Sequence, residues 1–329
     1  MSDLARHWDG MPRVRRLLSR RQLSWGWSYL GAVAMWLVVT IGVGRGGTGT
    51  LVEAAIVGSF YFVAGSGQMF VIALGNGNVD LSIPYVMTVS GVVAVDVMNG
   101  TNGPLLPGLL LGVAVGLGAG LINAFVVRVL RVEPIIGTLA VGFILESVAV
   151  RLTDAISPPQ PSPDLTSFTV MKVLGVPVMP VIFVAGAVLL GLVAGRSLFG
   201  WGVTGYGQRA EAAILAKLPV RRAIAGAYLL SGLFAGLAGV LLAAYSGGAS
   251  LDASDPFLLG SIAVVVLGGS SIAGGEISFA GVWGGALFLT LISTAVTALG
   301  LSASWQDIVE GVVIVLALSI QGRRRNAAA

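Results

Sequence analysis

Polar side chains are scarce in this chain, and the few that interrupt apolar sequence mark where chemistry could occur. Asp80 lies in the segment 75–82 (GNGNVDLS), between two apolar runs and just before Pro84. Asn76, Asn78 and Ser82 accompany it. An ionisable group at membrane depth is costly and commonly serves a substrate or ion route. Glycine and asparagine tolerate left-handed backbone, so the chain can break or re-enter here. Irregular backbone at that depth is stable only where it is buried in protein or lines water. Two readings stand side by side. Asn76, Asn78, Asp80 and Ser82 line a permeation path, or the segment is a turn on the cytoplasmic side in which Asp80 or Ser82 caps the next helix. Glu146, Glu276, Asp307 and Glu310 also lie in or at the ends of apolar runs. Glu146 and Glu310 are the deep ones, each a lone acid, with Glu310 about one turn after Asp307.

Enzymatic constellations do not assemble from these residues. The sequence has no cysteine, and His7 in a basic tail is the single histidine. That removes thiolate chemistry and leaves little material for a Ser-His pair or a histidine-ligated metal. A paired-aspartate membrane protease needs a Gly-x-Gly-Asp run, whereas Asn78 and Val79 separate Gly77 from Asp80. No Gly-Lys-Ser/Thr occurs, so the chain has no phosphate-binding loop of its own. No catalytic residue, cofactor or metal site is expected, and any ATP used must be bound by another subunit.

The elements that must position these residues are membrane helices. Mean hydropathy is +0.92, 56% of residues are hydrophobic and 10% are charged, which excludes an ordinary soluble domain. A bilayer core takes about 20 apolar residues per helix, and the chain supplies such runs repeatedly. The runs are uniformly apolar rather than alternating, so helices and not a barrel are expected. About ten spans are read, near 27–44, 50–74, 81–98, 105–128, 134–152, 178–195, 222–245, 256–272, 277–299 and 305–321. The expected fold is an all-α polytopic bundle. Its parts are a basic tail over 1–26, a membrane domain over 27–321 and a second basic tail over 322–329.

Charge orients the bundle. With an N-terminus that stays uncleaved in the cytoplasm, alternation places all of the 19 Lys and Arg residues inside except Arg45, Arg151 and Lys172. Both termini are therefore expected to be cytoplasmic. The net charge of +4 reflects this bias rather than affinity for nucleic acid. Of the long loops, 153–177 is rich in proline and serine and is read as an irregular or short-helix cap on the outer side. The inner loop 196–221 contains a good helix former at 211–218 (EAAILAKL), preceded by Gly207 and ended by Pro219.

Glycine is abundant, at 48 residues. Gly112, Gly116 and Gly120 share one face of a span, as do Gly232 and Gly236 on another, which predicts close helix packing. A weak internal echo relates VIALGNGNVDLS (71–82) to VVVLGGSSIAGGEIS (264–278). It pairs Asp80 with Glu276 and Ser82 with Ser278, so Glu276 and Ser278 join the candidate path residues.

Three blocks carry a resemblance to a known family. GNGNVDLSIPYVMTVSG, GYGQRAEAAILAKLPVRR and SIAVVVLGGSSIAGGEISFAGVWGGALF, together with WQDIVEGVVIVLAL, span about residues 68–318. They resemble the permease subunit of bacterial ABC importers of the ribose/xylose branch. Asn78 and Pro84 stand where that branch usually has glycine. Branched-chain amino-acid permeases are more distant relatives, and the Asp80-Leu81-Ser82 run is similar to the sugar branch. The resemblance implies a multi-pass protein of the bacterial inner membrane, in contact with lipid. It implies four partners: a cytoplasmic ATP-binding subunit, a second permease protomer, identical or not, an extracytoplasmic solute-binding protein, and a small sugar-like solute. It assigns docking on the ATPase to the segment containing Gly207, Glu211, Ala212, Ala213, Leu215, Leu218 and Pro219. An ATP-independent carrier or channel would not need that helix, and a membrane enzyme would need the constellations that are missing.

Overall fold

A helix forms at every one of the apolar segments read from the sequence. The computed structural model describes residues 25–42, 44, 46–155 and 160–326. The main helices are α1 (Gly26–Leu37), α2 (Thr48–Ala73), α3 (Ile83–Met98), α4 (Leu105–Arg128), α5 (Pro134–Ala155) and α7 (Val178–Arg196). They continue with α10 (Val220–Tyr245), α11 (Phe257–Leu267), α12 (Phe279–Ala298) and α13 (Ala303–Asn326). A π-helical turn, Val38–Gly42, extends α1. Among the described residues, six helices (α2, α4, α5, α7, α10 and α12) are long and apolar enough to cross a membrane, while α1, α3 and α11 are shorter apolar helices. The basic C-terminal residues Arg323, Arg324 and Arg325 continue α13 rather than starting a separate tail at 322. Most of the expected N-terminal tail lies outside the described residues.

The loop 153–177 contains a short helix, α6 (Pro163–Val170), with proline in its first turn. A two-residue hairpin follows, β1 (Lys172–Val173) antiparallel to β2 (Val176–Pro177). Leu174 and Gly175 turn it with positive φ, the handedness that two-residue hairpins need.

Burial sorts the helices. The most apolar stretch of α2 is 89% buried, whereas that of α7 is 22% buried. A helix that is apolar all round belongs inside, and α2 is surrounded by α10, α11 and α12. The outer faces of α4 and α7 expose Leu, Ile, Val and Phe to the surroundings, as lipid-facing helices do.

In lipid, close backbone packing replaces the hydrophobic effect as the force between helices. α4 and α10 show it. A Cβ on Gly116 would strike the Gly232 carbonyl, and one on Gly232 would strike the Gly116 carbonyl. Gly112 and Gly120 extend the same seam, against Val240 and Tyr228. The two glycine stripes seen in the sequence are the two sides of one joint within the chain.

Candidate functional site

The glycine seam sets the geometry of a buried polar knot. Near the Gly120 end of the seam, Asn123 of α4 and Ser231 of α10 come close enough to reach the same carboxylate. That carboxylate is Asp80. Between α2 and α3 the chain turns through Gly75, Asn76 and Gly77, all with positive φ. Asn78 Nδ2 donates to the Gly75 carbonyl at 2.7 Å, and Asn78 Oδ1 accepts from the Tyr228 hydroxyl at 2.9 Å. Asp80 Oδ1 then accepts from Ser82 N (3.0 Å), Ser82 Oγ (2.6 Å) and Asn123 Nδ2 (3.3 Å). Asp80 Oδ2 accepts from Ser231 Oγ at 2.7 Å. The Asp80 amide donates to Gln68 Oε1, and the Leu81 amide to Thr138 Oγ1.

Asp80 is 2% exposed, and Ser82, Gln68, Asn123 and Ser231 are fully buried. A buried carboxylate is tolerated only when charge or donors compensate it. Here four donors do so, and the N-terminus of α3 adds its partial positive charge. Ser82 occupies the N-cap position of α3 without a side-chain cap bond. Asp80 bonds the Ser82 amide instead and fastens the link to α4 and α10. Asn76 is exposed and Asn78 half-buried, so the segment runs from surface to core within a few residues.

The echoed segment lies directly beside it. Gly269, Gly274 and Gly275 take positive φ between α11 and α12. Ser278 is the N-cap of α12, its Oγ accepting from Gly281 N at 3.1 Å. Asp80 and Glu276 thus each stand two residues before an N-cap serine. Their surroundings differ, since Glu276 is half-buried. The Gly275 amide donates to the Ala73 carbonyl at 2.8 Å, and a Cβ on Gly274 would strike Gly75.

A third element closes this junction. α8 (Leu198–Gln208) carries Gly207 in its last turn, where a Cβ would strike both the Ala73 carbonyl and the Gly275 amide. Gln208 Nε2 donates to the Gly275 carbonyl at 3.2 Å. Gly207 is therefore a wedge inside α8, not a spacer ahead of a later helix. The next helix, α9, spans Ala210–Leu215, shorter than the 211–218 read from the sequence. Lys217 takes φ 56°, and the Leu218 amide turns back to the Ala213 carbonyl at 3.1 Å. This left-handed C-terminal turn stops the helix before Pro219 is reached. Pro219 instead caps the start of α10. Ala213 faces inward at 3% exposure, while Ile214 and Leu215 are 61% and 83% exposed beside the exposed Glu211 and Ala212.

Comparison with known proteins now places the chain. A family model described as "Branched-chain amino acid transport system / permease component" matches residues 50–318. The chain belongs to this permease family. It is a multi-pass membrane protein of the inner membrane. It is 31% identical over 278 residues to the L-arabinose ABC transporter permease protein AraH of Azospirillum brasilense, covering 84% of this chain and 80% of that one. It is 30% identical over 271 residues to the ribose import permease protein RbsC of Escherichia coli K12, covering 78% and 81%. The D-allose transport system permease protein AlsC of the same strain is 29% identical over 274 residues, covering 83% of each chain. No solved structure matches.

In this permease the knot draws on Gln68, Asn123, Thr138, Tyr228 and Ser231, none of which the sequence reading selected. Asn123, alone among Leu121, Ile122, Ala124 and Phe125, is the one with a usable signal, because an amide in such a run must find a buried partner. Serine, threonine and tyrosine are too common in membrane helices to stand out. Of the other deep acids, Glu310 is 3% exposed and accepts from Gln306 Nε2 at 3.1 Å and Ser293 Oγ at 3.2 Å. Glu146 is exposed on α5. Among the described residues no group of three or more His, Asp or Glu is arranged to hold a metal.

Proposed function

We propose that this permease is the membrane subunit of an ATP-driven importer for a monosaccharide. The sugar reading is supported by the arabinose, ribose and allose permeases it resembles over most of its length. ATP is hydrolysed by a partner subunit on the cytoplasmic side. A solute-binding protein delivers the sugar to the opposite face, and two protomers enclose the path between them. About ten spans with both termini inside fit the distribution of basic residues. Asn76, Asn78, Asp80, Ser82, Glu276 and Ser278 belong to the machinery that opens and closes the path.

One observation carries this reading. The exposed face of α9 (Glu211, Ala212, Ile214, Leu215) is joined through a single residue, Arg209, to α8. The end of α8 is wedged against both glycine links. A partner that grips α9 therefore pushes on the breaks preceding α3 and α12 together. A secondary carrier has no use for such a docking element.

The test is co-purification of the ATPase with the permease, together with sugar uptake in vesicles. Leu215→Asp puts a charge on the exposed face and should weaken ATPase association at unchanged permease level. Equal ATPase recovery and equal uptake for Leu215→Asp and the parent would remove α9 as the docking element.

A further inference from the structure

Glu146 poses a physical problem that the polar knot does not absorb. It sits near the middle of α5, about 18 Å along a helix of about 33 Å. It is exposed, as are Phe143 and Val150, three residues before and four after it, and the adjacent Ser147. A carboxylate directed at hydrocarbon is unstable, so this part of α5 must face water or protein.

Its surroundings combine aromatic and acidic groups. Gly142, one turn earlier, lets α5 close on the ring of Tyr85 from α3, which a Cβ there would strike. Tyr85 and Phe143 meet edge to face, with ring centroids 6.1 Å apart at 61°. Phe143 keeps 52% of its surface free. On the other side lies the irregular segment 246–256, with exposed Asp252 and Asp255. Asp252, Asp255 and Glu146 are close enough to share one electrostatic field. α11, which follows, has 11 residues, about 16 Å, roughly half a bilayer core. A half-length helix brings an irregular segment to membrane depth, and such backbone must line water or be buried. Thr88, one turn along α3 from Pro84, opens with Ser250 and Ser254 into a small cleft beside α10.

We infer that the Tyr85–Phe143–Glu146 face, with Asp255 at its rim, forms the sugar-contacting wall of the translocation path. The inference rests on the importer reading above and names the surface that reading leaves open. The chemistry suits a monosaccharide. Aromatic faces pack against the apolar C–H face of a pyranose or furanose ring, and a carboxylate accepts hydrogen bonds from its hydroxyl groups. Two such walls, one from each protomer, enclose a polar passage and remove Glu146 from lipid.

The experiment uses the full importer, permease with its ATPase and binding protein, in vesicles. The probes are radiolabelled L-arabinose, D-ribose and D-allose. Whichever of them the parent imports is then followed in Glu146→Leu, Glu146→Gln and Tyr85→Ala. Glu146→Leu should fold to the parent's level and lose uptake by about tenfold or more, the loss expected for a charged hydrogen bond to the solute. Glu146→Gln, which still accepts a hydrogen bond, should retain more uptake than Glu146→Leu. A cysteine at Ser147 should react with a water-soluble thiol reagent, and more slowly when the sugar is present. Glu146→Leu with undiminished uptake means a lipid-facing acid and overturns the inference. So does loss of protomer association with Ser147→Cys inert to the reagent, which means a protein contact. A parent that imports none of the probes fails the sugar reading instead, and is recognised before any variant is compared.

Discussion

Asp80→Ala tests the account of the polar knot directly. The substitution removes the acceptor of four hydrogen bonds, three on Oδ1 and one on Oδ2. Asn123 Nδ2 keeps a second acceptor in Ser82 Oγ at 2.7 Å, so it is not stranded. Ser231 Oγ can turn back to a carbonyl of its own helix, as serines in helices do. The Ser82 amide has no such recourse, and a buried unpaired amide costs about 1–3 kcal/mol. The cavity left by the carboxylate and the loss of the link between α3, α4 and α10 add to this. A total of about 3–5 kcal/mol is expected, near the upper end for a single substitution. Against a typical stability of about 5–15 kcal/mol that is a large share. The measurement is thermal stability of the detergent-purified protein beside its level in membranes, with Ser231→Ala as companion. Ser231→Ala removes one charge-assisted bond and should cost about 1.5–3 kcal/mol. Because both act on one network, the double variant should be less damaging than the two costs added. Asp80→Ala at parental level and parental melting temperature would refute the knot as a structural element. Additive costs would refute the direct bond between the two residues.

The remaining predictions concern other parts of the molecule. Gly232→Leu should abolish accumulation of folded protein, because the side chain has no space against Gly116 and Gly120, whereas Gly118→Leu, with open space around it, should be tolerated; comparable monodisperse yield for both would contradict the seam. Ala213→Trp should lower permease stability, since Ala213 is buried against Gly205 of α8, and a fully stable Ala213→Trp protein would show that α9 is packed differently. For topology, a cysteine at Gln160 should react with an impermeant thiol reagent from outside and one at Gln208 from inside. The parent has no cysteine to confuse that test. Labelling in the opposite sense would invert the proposed orientation.

Helix positions were legible because hydropathy alone dictates them. Every apolar run became a helix, with ends within a few residues except at α13, which runs past 321 to Asn326, and at α11, where the run 256–272 yields a helix only to Leu267. Gly268 and Gly269 end it, and hydropathy carries no measure of how early glycines act. Segment 211–218 failed for the opposite reason. Alanine and leucine promise helix to Pro219, but Lys217 adopts a left-handed turn that local propensity does not anticipate. In the candidate site, Asp80 was legible as an unusual acid, while its partners were not. Gln68, Asn123 and Ser231 lie 12, 43 and 151 residues away, and only packing of the glycine seam brings them together. Glu146 was legible as a deep acid, yet its exposure depends on which face of α5 the neighbours leave free.

The wedge at Gly207 has a mechanical meaning for a machine driven from one end. Its contacts are backbone against backbone, with no side chain between to bend or change rotamer. A joint of that kind has almost no play. In the proposed importer, a pull on α9 is delivered at once to the links before α3 and α12, and neither can lag behind the other. On that proposal the two links are geared together at this point, and one stroke moves both.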